Sequence, residues 1–438
     1  MDTRGRLRTI TRRGLIKVGG GVLLSVAGLG LLPAPARALL SPASVSDAGP
    51  ELDLQATDAH DAHLIGTDGW VYIPEEPEIP PYHPDPWAPP PFTGYIFGLR
   101  DVTGLTPEQV LNQKGKAQLT SPLLWIDEGA EYRLKLSNPG LVMRPDLVDA
   151  HTFHFHGFRN QTPIFDGEPM SSIAVPIGRS FTYLYRPLHP GTYIYHCHFE
   201  DTEHVHLGMT GIVFVRPTQN QGTDIVAPGK YVYNDGDGST AYDREFAILL
   251  TEWWTEAHWA GAHVQASDWT EYRPEFFLMN GRAYPDTLAP NGEGTDPITG
   301  DLIEPAGYPR LQYQPMSSLI QANAGERILL RLANLGFQLQ TLTLRGARMR
   351  VVGKDAAHLR GRDGTDLTYE TNVVSLAPGE SADVIITAPD VNASTTLLLH
   401  NRNYARLTNG GAAGLGGQLT EIRVYPAGTL PPQTSPNA

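Results

Sequence analysis

The chain has 438 residues, room for two to three domains at roughly 150 residues each, and its 45 glycines and 37 prolines favour a turn-rich fold over a helical bundle. A formal net charge of −14 argues against nucleic-acid binding, which needs a basic face, and a hydrophobic content of 41% excludes a fully disordered chain. The single cysteine, Cys197, excludes an intrachain disulfide and any cysteine-rich zinc or iron–sulfur site.

Residues 1–38 read as a removable export signal. Arg4, Arg6, Arg8, Arg12, Arg13 and Lys17 precede the apolar run VGGGVLLSVAGLGLL, which is shorter than the ~20 residues that span a bilayer, and Ala36-Arg37-Ala38 supplies a cleavage pattern. Within it TRRGLIK resembles the twin-arginine motif of folded-protein export, so the mature chain is expected outside the cytoplasm, without a membrane span. Residues 39–94 read as an N-terminal extension, loose up to residue 67 and including a solvated DAHDAH segment. It continues into an extended strap with nine prolines from Pro74 to Pro91. Thr106, Pro107 and Gln109 form a capping box that opens a short helix.

Beyond that helix the chain reads as short strands, among them SFTYLYRP, GTYIYHCH, GIVFVRP, RILLRLANLG, DVIITAP and STTLLLH. An internal repeat divides them: EGAEYRLKLSNPG at 128–140 parallels AGERILLRLANLG at 324–336, and TYIYHCH at 192–198 parallels TLLLHNR at 396–402. The expectation is an all-β protein of two related Greek-key sandwiches, at 95–217 and 246–438, joined by a polar linker at 218–245.

The chemistry concentrates in the first unit, in DAHTFHFHGF at 149–158 and YHCHFEDTEHVHLGM at 195–209. Strand alternation puts His196 and His198 on one face and Cys197 on the other, and pairs His154 with His156 against His151. With His151, His204 and Met209, Cys197 meets the needs of a type 1 copper site, two imidazoles and a thiolate with a weak thioether. His204 is preferred to its rival His206, which is left as a solvated residue. On the other face His154, His156, His196 and His198 offer four imidazoles to a second copper centre.

HTFHFHG, FDGEPMSSIAVPIGRSFTYLYRP, GTYIYHCH and HLGMTGIVFV resemble the copper-binding cupredoxin domain of the multicopper oxidases, including laccases and their two-domain relatives. The resemblance implies two tandem cupredoxin-like domains. It implies that His151, Cys197, His204 and Met209 hold type 1 copper, which takes single electrons from a small phenolic, amine or metal-ion donor. It also implies that His154, His156, His196 and His198 belong to a type 2/type 3 cluster where dioxygen is reduced, and that the chain forms a homotrimer. Asp166 in FDGEP is placed to supply protons, or to form an Asp-Gly turn.

Two departures stand out. The seven-residue step from Cys197 to His204 is longer than the family's usual loop and approaches that of the copper nitrite reductases, a second resemblance. Those enzymes carry a single histidine before the cysteine and an aspartate where His154 stands, so the oxidase reading is favoured. The repeat also sets Gln340, Thr343 and Arg345 opposite His151, His154 and His156, and HNR opposite HCH, so only His400 survives in the second unit. His258, His263, His358 and the strap histidines are the candidates to complete the cluster. A non-enzymatic blue-copper electron carrier is the remaining alternative.

Overall fold

The computed structural model describes residues 61–158 and 162–438. The export signal and residues 39–60 lie outside the described residues. No helix among the described residues is long and apolar enough to cross a membrane.

The first sandwich comprises β1 (Ala62–Val71), β2 (Gly94–Asp101), β3 (Leu124–Asp127), β4 (Tyr132–Asn138), β5 (His154–Phe155), β6 (Arg179–Tyr185), β7 (Gly191–His196) and β8 (Thr210–Arg216). They form two four-stranded sheets, ordered β2-β1-β4-β6 and β3-β8-β7-β5. Inward-facing Leu134, Leu136, Tyr183, Tyr185, Val213 and Val215 close the core between them. The short helix α1 (Pro107–Leu111) has the expected capping box: Thr106 Oγ1 accepts from the Gln109 amide, and Gln109 reaches back to the Thr106 amide.

One expectation is corrected. Residues 62–67 are not a loose lead-in but part of β1, buried along its whole length and paired in parallel with β4. His63 is buried, with Nε2 2.7 Å from Ser137 Oγ, rather than solvated.

The second sandwich repeats the plan with β9 (Arg244–Trp253), β10 (Phe276–Met279), β11 (Ile320–Asn323), β12 (Arg327–Asn334), β13 (Gln340–Arg345), β14 (Met349–Lys354), β15 (Ala357–His358), β16 (Tyr369–Thr371), β17 (Val373–Leu376), β18 (Ser381–Thr387), β19 (Thr395–Asn401) and β20 (Leu419–Tyr425). One sheet runs β10-β9-β12-β18-β14-β15 with β16 beside β14, the other β11-β20-β19-β13-β17. The repeat seen in the sequence is a shared corner. Asn138 Nδ2 donates to Val175 O while its Oδ1 takes the Gly140 amide, and Asn334 does the same with Leu376 O and Gly336. Asp68 and Glu252 cap the loops after these corners, accepting from Val142 and Met143 and from Phe337 and Gln338.

A buried polar hub joins the two sandwiches. Thr192 on β7 donates to Asp383 on β18 at 2.5 Å, Tyr233 donates to the same carboxylate at 2.6 Å, and fully buried Arg331 lies between Asp383 and Glu245. Beside it Ile194 and Ile212 pack against Ala247, Leu249 and Ala333. Two further helices, unforeseen in the sequence, are α2 (Asp201–Leu207) and α3 (Thr255–Ala262).

Candidate metal centre

Strand β7 ends at His196, and Cys197 follows with its backbone amide bonded to Met209 O at 3.1 Å. The strand alternation therefore continues, and the sulfur turns into the core at 0% exposure. There it receives the Thr152 amide at 3.4 Å and lies 3.3 Å from His204 Nδ1. His151, Cys197 and His204 each bring a ligand atom to within 4.8 Å of the others.

Three different devices bring them together. His151 forms an isolated bridge with Val175, and the ring occupies space left by Gly66 on β1, where a Cβ would stand 2.5 Å from His151 Cδ2. His204 rides on α2, and its ring lies edge-on to Phe97 with centroids 5.5 Å apart. Met209 follows the helix, buried in one apolar cluster with Cys197, Tyr95, Phe97 and Leu207.

The electrostatics suit a cation. Burial alone would push the Cys197 thiol up, but His204 and His151 beside the sulfur pull it well below the ordinary thiol value. Burial would lower His204, yet the Cys197 sulfur and Asp149 hold it up at about 10. Both ring nitrogens of His151, and Nε2 of His204, are buried without a hydrogen-bond partner. The orphaned nitrogens of His151 and the His204 Nδ1 beside a low-pKa thiol fit a metal-ligand set, and thiolate with imidazole is a set copper takes.

On the opposite face β5 pairs with β7 so that His154 stands directly across from His196. His154, His156 and His196 present ring nitrogens within 4.8 Å of one another. His198 is their neighbour, its ring 5.0 Å from that of His154 and 5.3 Å from that of His196. Two of the rings are locked: His154 Nδ1 donates to Asp166 O at 2.6 Å and His196 Nδ1 to Cys197 O at 2.9 Å. A nitrogen that donates to a carbonyl carries the proton, so each Nε2 keeps its lone pair for a metal. Burial lowers the pKa of His154 and His156 and takes that of His196 to about 3, which keeps these rings neutral.

Asp166 sits at the rim of this cluster. It makes the expected turn, with Gly167 at φ +77° where a Cβ would meet Phe153 O, and its carboxylate Oδ2 lies 3.8 Å from His154 Nδ1.

Two residues escaped the sequence reading. Asp149, two before His151, approaches His204 Nε2 at 3.6 Å, and Thr152 accepts from the His198 amide while donating its own to Cys197. Their signal lay in adjacency to the histidines, which spacing arguments pass over. His206 is not solvated but 7% exposed, accepting the Trp254 amide at 3.2 Å, with burial taking its pKa to about 3.

Folding does not bring the spare histidines to the cluster. His258 stacks on Trp253 and bonds to Tyr95 O, His263 pairs with Asp85, His358 stacks on Tyr233, and the strap's His83 bonds to Pro74 O. His400 repeats the His196 geometry, Nδ1 to Asn401 O at 2.8 Å. At the position matching the cysteine site, Gln340 Oε1 accepts from Asn401 at 2.9 Å and from Arg406 at 2.5 Å.

Sequence models of the multicopper oxidases match residues 109–220 and 244–414. A copper-containing nitrite reductase of Neisseria meningitidis is 22% identical over 322 residues, 68% of this chain and 67% of that protein. Laccase-12 of Arabidopsis thaliana is 25% identical over 279 residues, 61% of this chain but 39% of the laccase. The crystal structure of a blue copper oxidase from Nitrosomonas europaea shares the fold, with a TM-score of 0.57 at 19% identity over 83% of this chain and 85% of that one.

Proposed function

The chain belongs to the multicopper oxidase family, copper-dependent oxidoreductases that use dioxygen, and from that premise we propose that it is an exported, laccase-like oxidase of small electron donors. The observation that carries this reading is the position of Cys197. Its sulfur faces His151 and His204, while the residues on either side, His196 and His198, face the opposite way toward His154 and His156. In this reading His151, Cys197, His204 and Met209 hold type 1 copper, and His154, His156, His196 and His198 contribute to the second centre. Copper bound at these places supplies one-electron transfer at the sulfur site and dioxygen reduction at the imidazole site.

The residues prepare both places. Cys197 is poised as thiolate, and the apolar shell of Tyr95, Phe97, Leu141 and Leu207 keeps water from it. The Asp166 and Cys197 carbonyls fix the tautomers of His154 and His196. The Asp166 carboxylate, one third exposed and 3.8 Å from His154 Nδ1, is the group through which protons would enter from solvent. Phenols, aromatic amines and reduced metal ions are the proposed donors, and a homotrimer is the proposed assembly, in which a neighbouring subunit completes the imidazole site.

The test is copper content per chain, electron paramagnetic resonance and oxygen uptake with a phenolic donor. Blue-site and coupled-pair signals with oxygen uptake support the oxidase; a blue-site signal alone with no uptake overturns it. The mature N-terminus of protein collected outside the cytoplasm tests export. A second reading, a nitrite-reductase-like enzyme, is favoured by one observation: only His154, His156 and His196 converge within 4.8 Å, a set suited to a single metal ion. Nitrite turnover without oxygen uptake would establish it.

A further inference from the structure

Two imidazoles of the second centre are held by carbonyls of their own sandwich, those of Asp166 and Cys197. The ring of His156 meets the other sandwich. A cavity of about 110 Å³ brings it alongside Thr192 and Ile194 of β7 and Asp355, Gly379 and Ser381 of the second half of the chain.

Gly379 lies in the turn between β17 and β18. The Glu380 amide donates to Ala377 O at 3.1 Å, with Pro378 and Gly379 at the centre and Gly379 at φ +82°, the type II arrangement that glycine favours. A Cβ on Gly379 would come 3.4 Å from His156 Cε1 and 3.8 Å from Nδ1, so the bare backbone lies against the Nδ1 edge of the ring. That backbone hydrogen-bonds the ring and, like the Asp355 carboxylate, raises its pKa against the effect of burial. A backbone partner that raises an imidazole's pKa is an acceptor, so the ring donates and the glycine carbonyl accepts.

Asp355 arrives on a strained finger. Strands β14 and β15 pair Lys354 with Ala357, which leaves a two-residue loop with Asp355 at φ 48° and Ala356 at φ 54°. Type I′ turns of this kind prefer Asn-Gly or Asp-Gly, because a Cβ is costly in the left-handed region. Ala356 is nonetheless buried in the aromatic core of the first sandwich, which makes room at Gly191, where a Cβ would stand 2.7 Å from Ala356 Cα. Asp355 Oδ1 takes the Ser381 amide at 2.9 Å, and Ser381 Oγ donates to Thr192 O at 2.7 Å. The finger thus clamps to β7 the chain two residues past Gly379, and backbone strain over-determined by its surroundings is a mark of functional sites.

We propose that the second sandwich orients the imidazole centre of the first: Gly379 and Asp355 are positioning residues that fix the His156 ring with Nδ1 protonated and Nε2 free to ligate. The half of the chain poor in histidines thereby supplies a lock in place of ligands, the counterpart of the Asp166 and Cys197 carbonyls. The proposal rests on the oxidase reading only for the chemistry of the metal; the tautomer of the ring is a property of the copper-free chain.

The experiment reads long-range proton–nitrogen correlation spectra of the full mature chain, copper-free and carrying isotope-labelled histidine, with the His156 signals identified by their loss in His156→Gln. His156 is expected as the Nδ1-protonated tautomer. Asp355→Gly suits the left-handed turn but removes the carboxylate, and should convert this ring to a mixture of tautomers. Asp355→Asn, whose side chain still accepts from Ser381, should keep the original spectrum. In the copper-loaded chain Asp355→Gly should speed chelator removal of copper from the imidazole centre by about tenfold, with the blue absorption of the Cys197 site unchanged. Gly379→Ala, which sets a methyl against His156 Cε1, should act in the same direction. An unchanged tautomer in both Asp355→Gly and Gly379→Ala overturns the proposal. So does equal loss of copper from both centres, or an Asp355→Asn variant as impaired as Asp355→Gly. If the loaded chain oxidised no donor while the tautomer responded as expected, the proposed function would fail and the positioning would stand.

Discussion

The two sandwiches end in matching apices built on the same backbone, and they solve the burial of polar groups in opposite ways. At the first apex both ring nitrogens of His151 are buried without a hydrogen-bond partner beside a low-pKa thiol, and His204 Nδ1 stands 3.3 Å from the sulfur. At the second, the side chains standing in the ligand places are hydrogen-bonded within the protein. Gln340 replaces His151, Asn401 replaces Cys197, and the Arg406 guanidinium donates to Gln340 Oε1, Leu339 O and Gln338 Oε1. Asn401 also donates to Gln418 Oε1 at 2.7 Å, and Gln340 to Glu252 at 2.6 Å. An unsatisfied buried group costs about 1–3 kcal/mol, so the first apex is a structure waiting for an ion and the second is a finished hydrogen-bond network. The fold alone therefore does not make a copper site; the partners left open do.

Substitutions can break this contrast. The largest effect is expected from Cys197→Ser, which should abolish the blue colour and donor oxidation while the circular dichroism spectrum stays that of a folded β protein; persistence of the colour would refute the assignment. His151→Gln installs the second apex's residue in the first and should lower donor oxidation by at least about a hundredfold, read as kcat/KM with copper counted on the same sample. Arg406→Met attacks the other apex. It removes the donor to Leu339 O and one of the two donors to Gln340 Oε1, and should destabilise the protein by about 1 kcal/mol in denaturant unfolding, with copper content unchanged. Gly66→Ala pushes a methyl against His151 and should cost about 1–2 kcal/mol and loosen copper retention against a chelator. Thr152→Val removes the acceptor for the His198 amide and should cost about 1 kcal/mol, with a small change in the blue band.

Much of this was legible in the sequence because it is local. Strand alternation around Cys197 placed His196 and His198 opposite the sulfur, and the Asn-x-Gly repeat matched the two corners. What escaped was set by contacts distant in sequence. Strand β1 was unread because its HLIGTDGWV run contains two glycines and a buried aspartate, and it becomes a strand by pairing with β2 and β4. The helix α2 was unread because DTEHVHL is only two turns long with no apolar stripe. His206 was taken for solvated because Trp254, Trp269 and Phe337, which bury it, come from the second half of the chain.

The hub of Thr192, Tyr233, Asp383, Arg331 and Glu245 carries a consequence for how the molecule comes apart. Its central guanidinium is fully enclosed, and its carboxylate partners answer to both sandwiches. Arg331, Glu245 and Asp383 all belong to the second sandwich, and peeling the first away would strip Thr192 from Asp383, Arg216 from Glu245 and the Phe214 ring from the face of Arg331, so the loss is concentrated in one place. The strand that bears His196 and leads into Cys197 is thus anchored to the half of the chain without a cysteine site. Heating should melt the two halves in one calorimetric transition, and the second sandwich, with Gln340 and Asn401 in place of a histidine and a cysteine at its apex, acts as the keel that keeps the first upright.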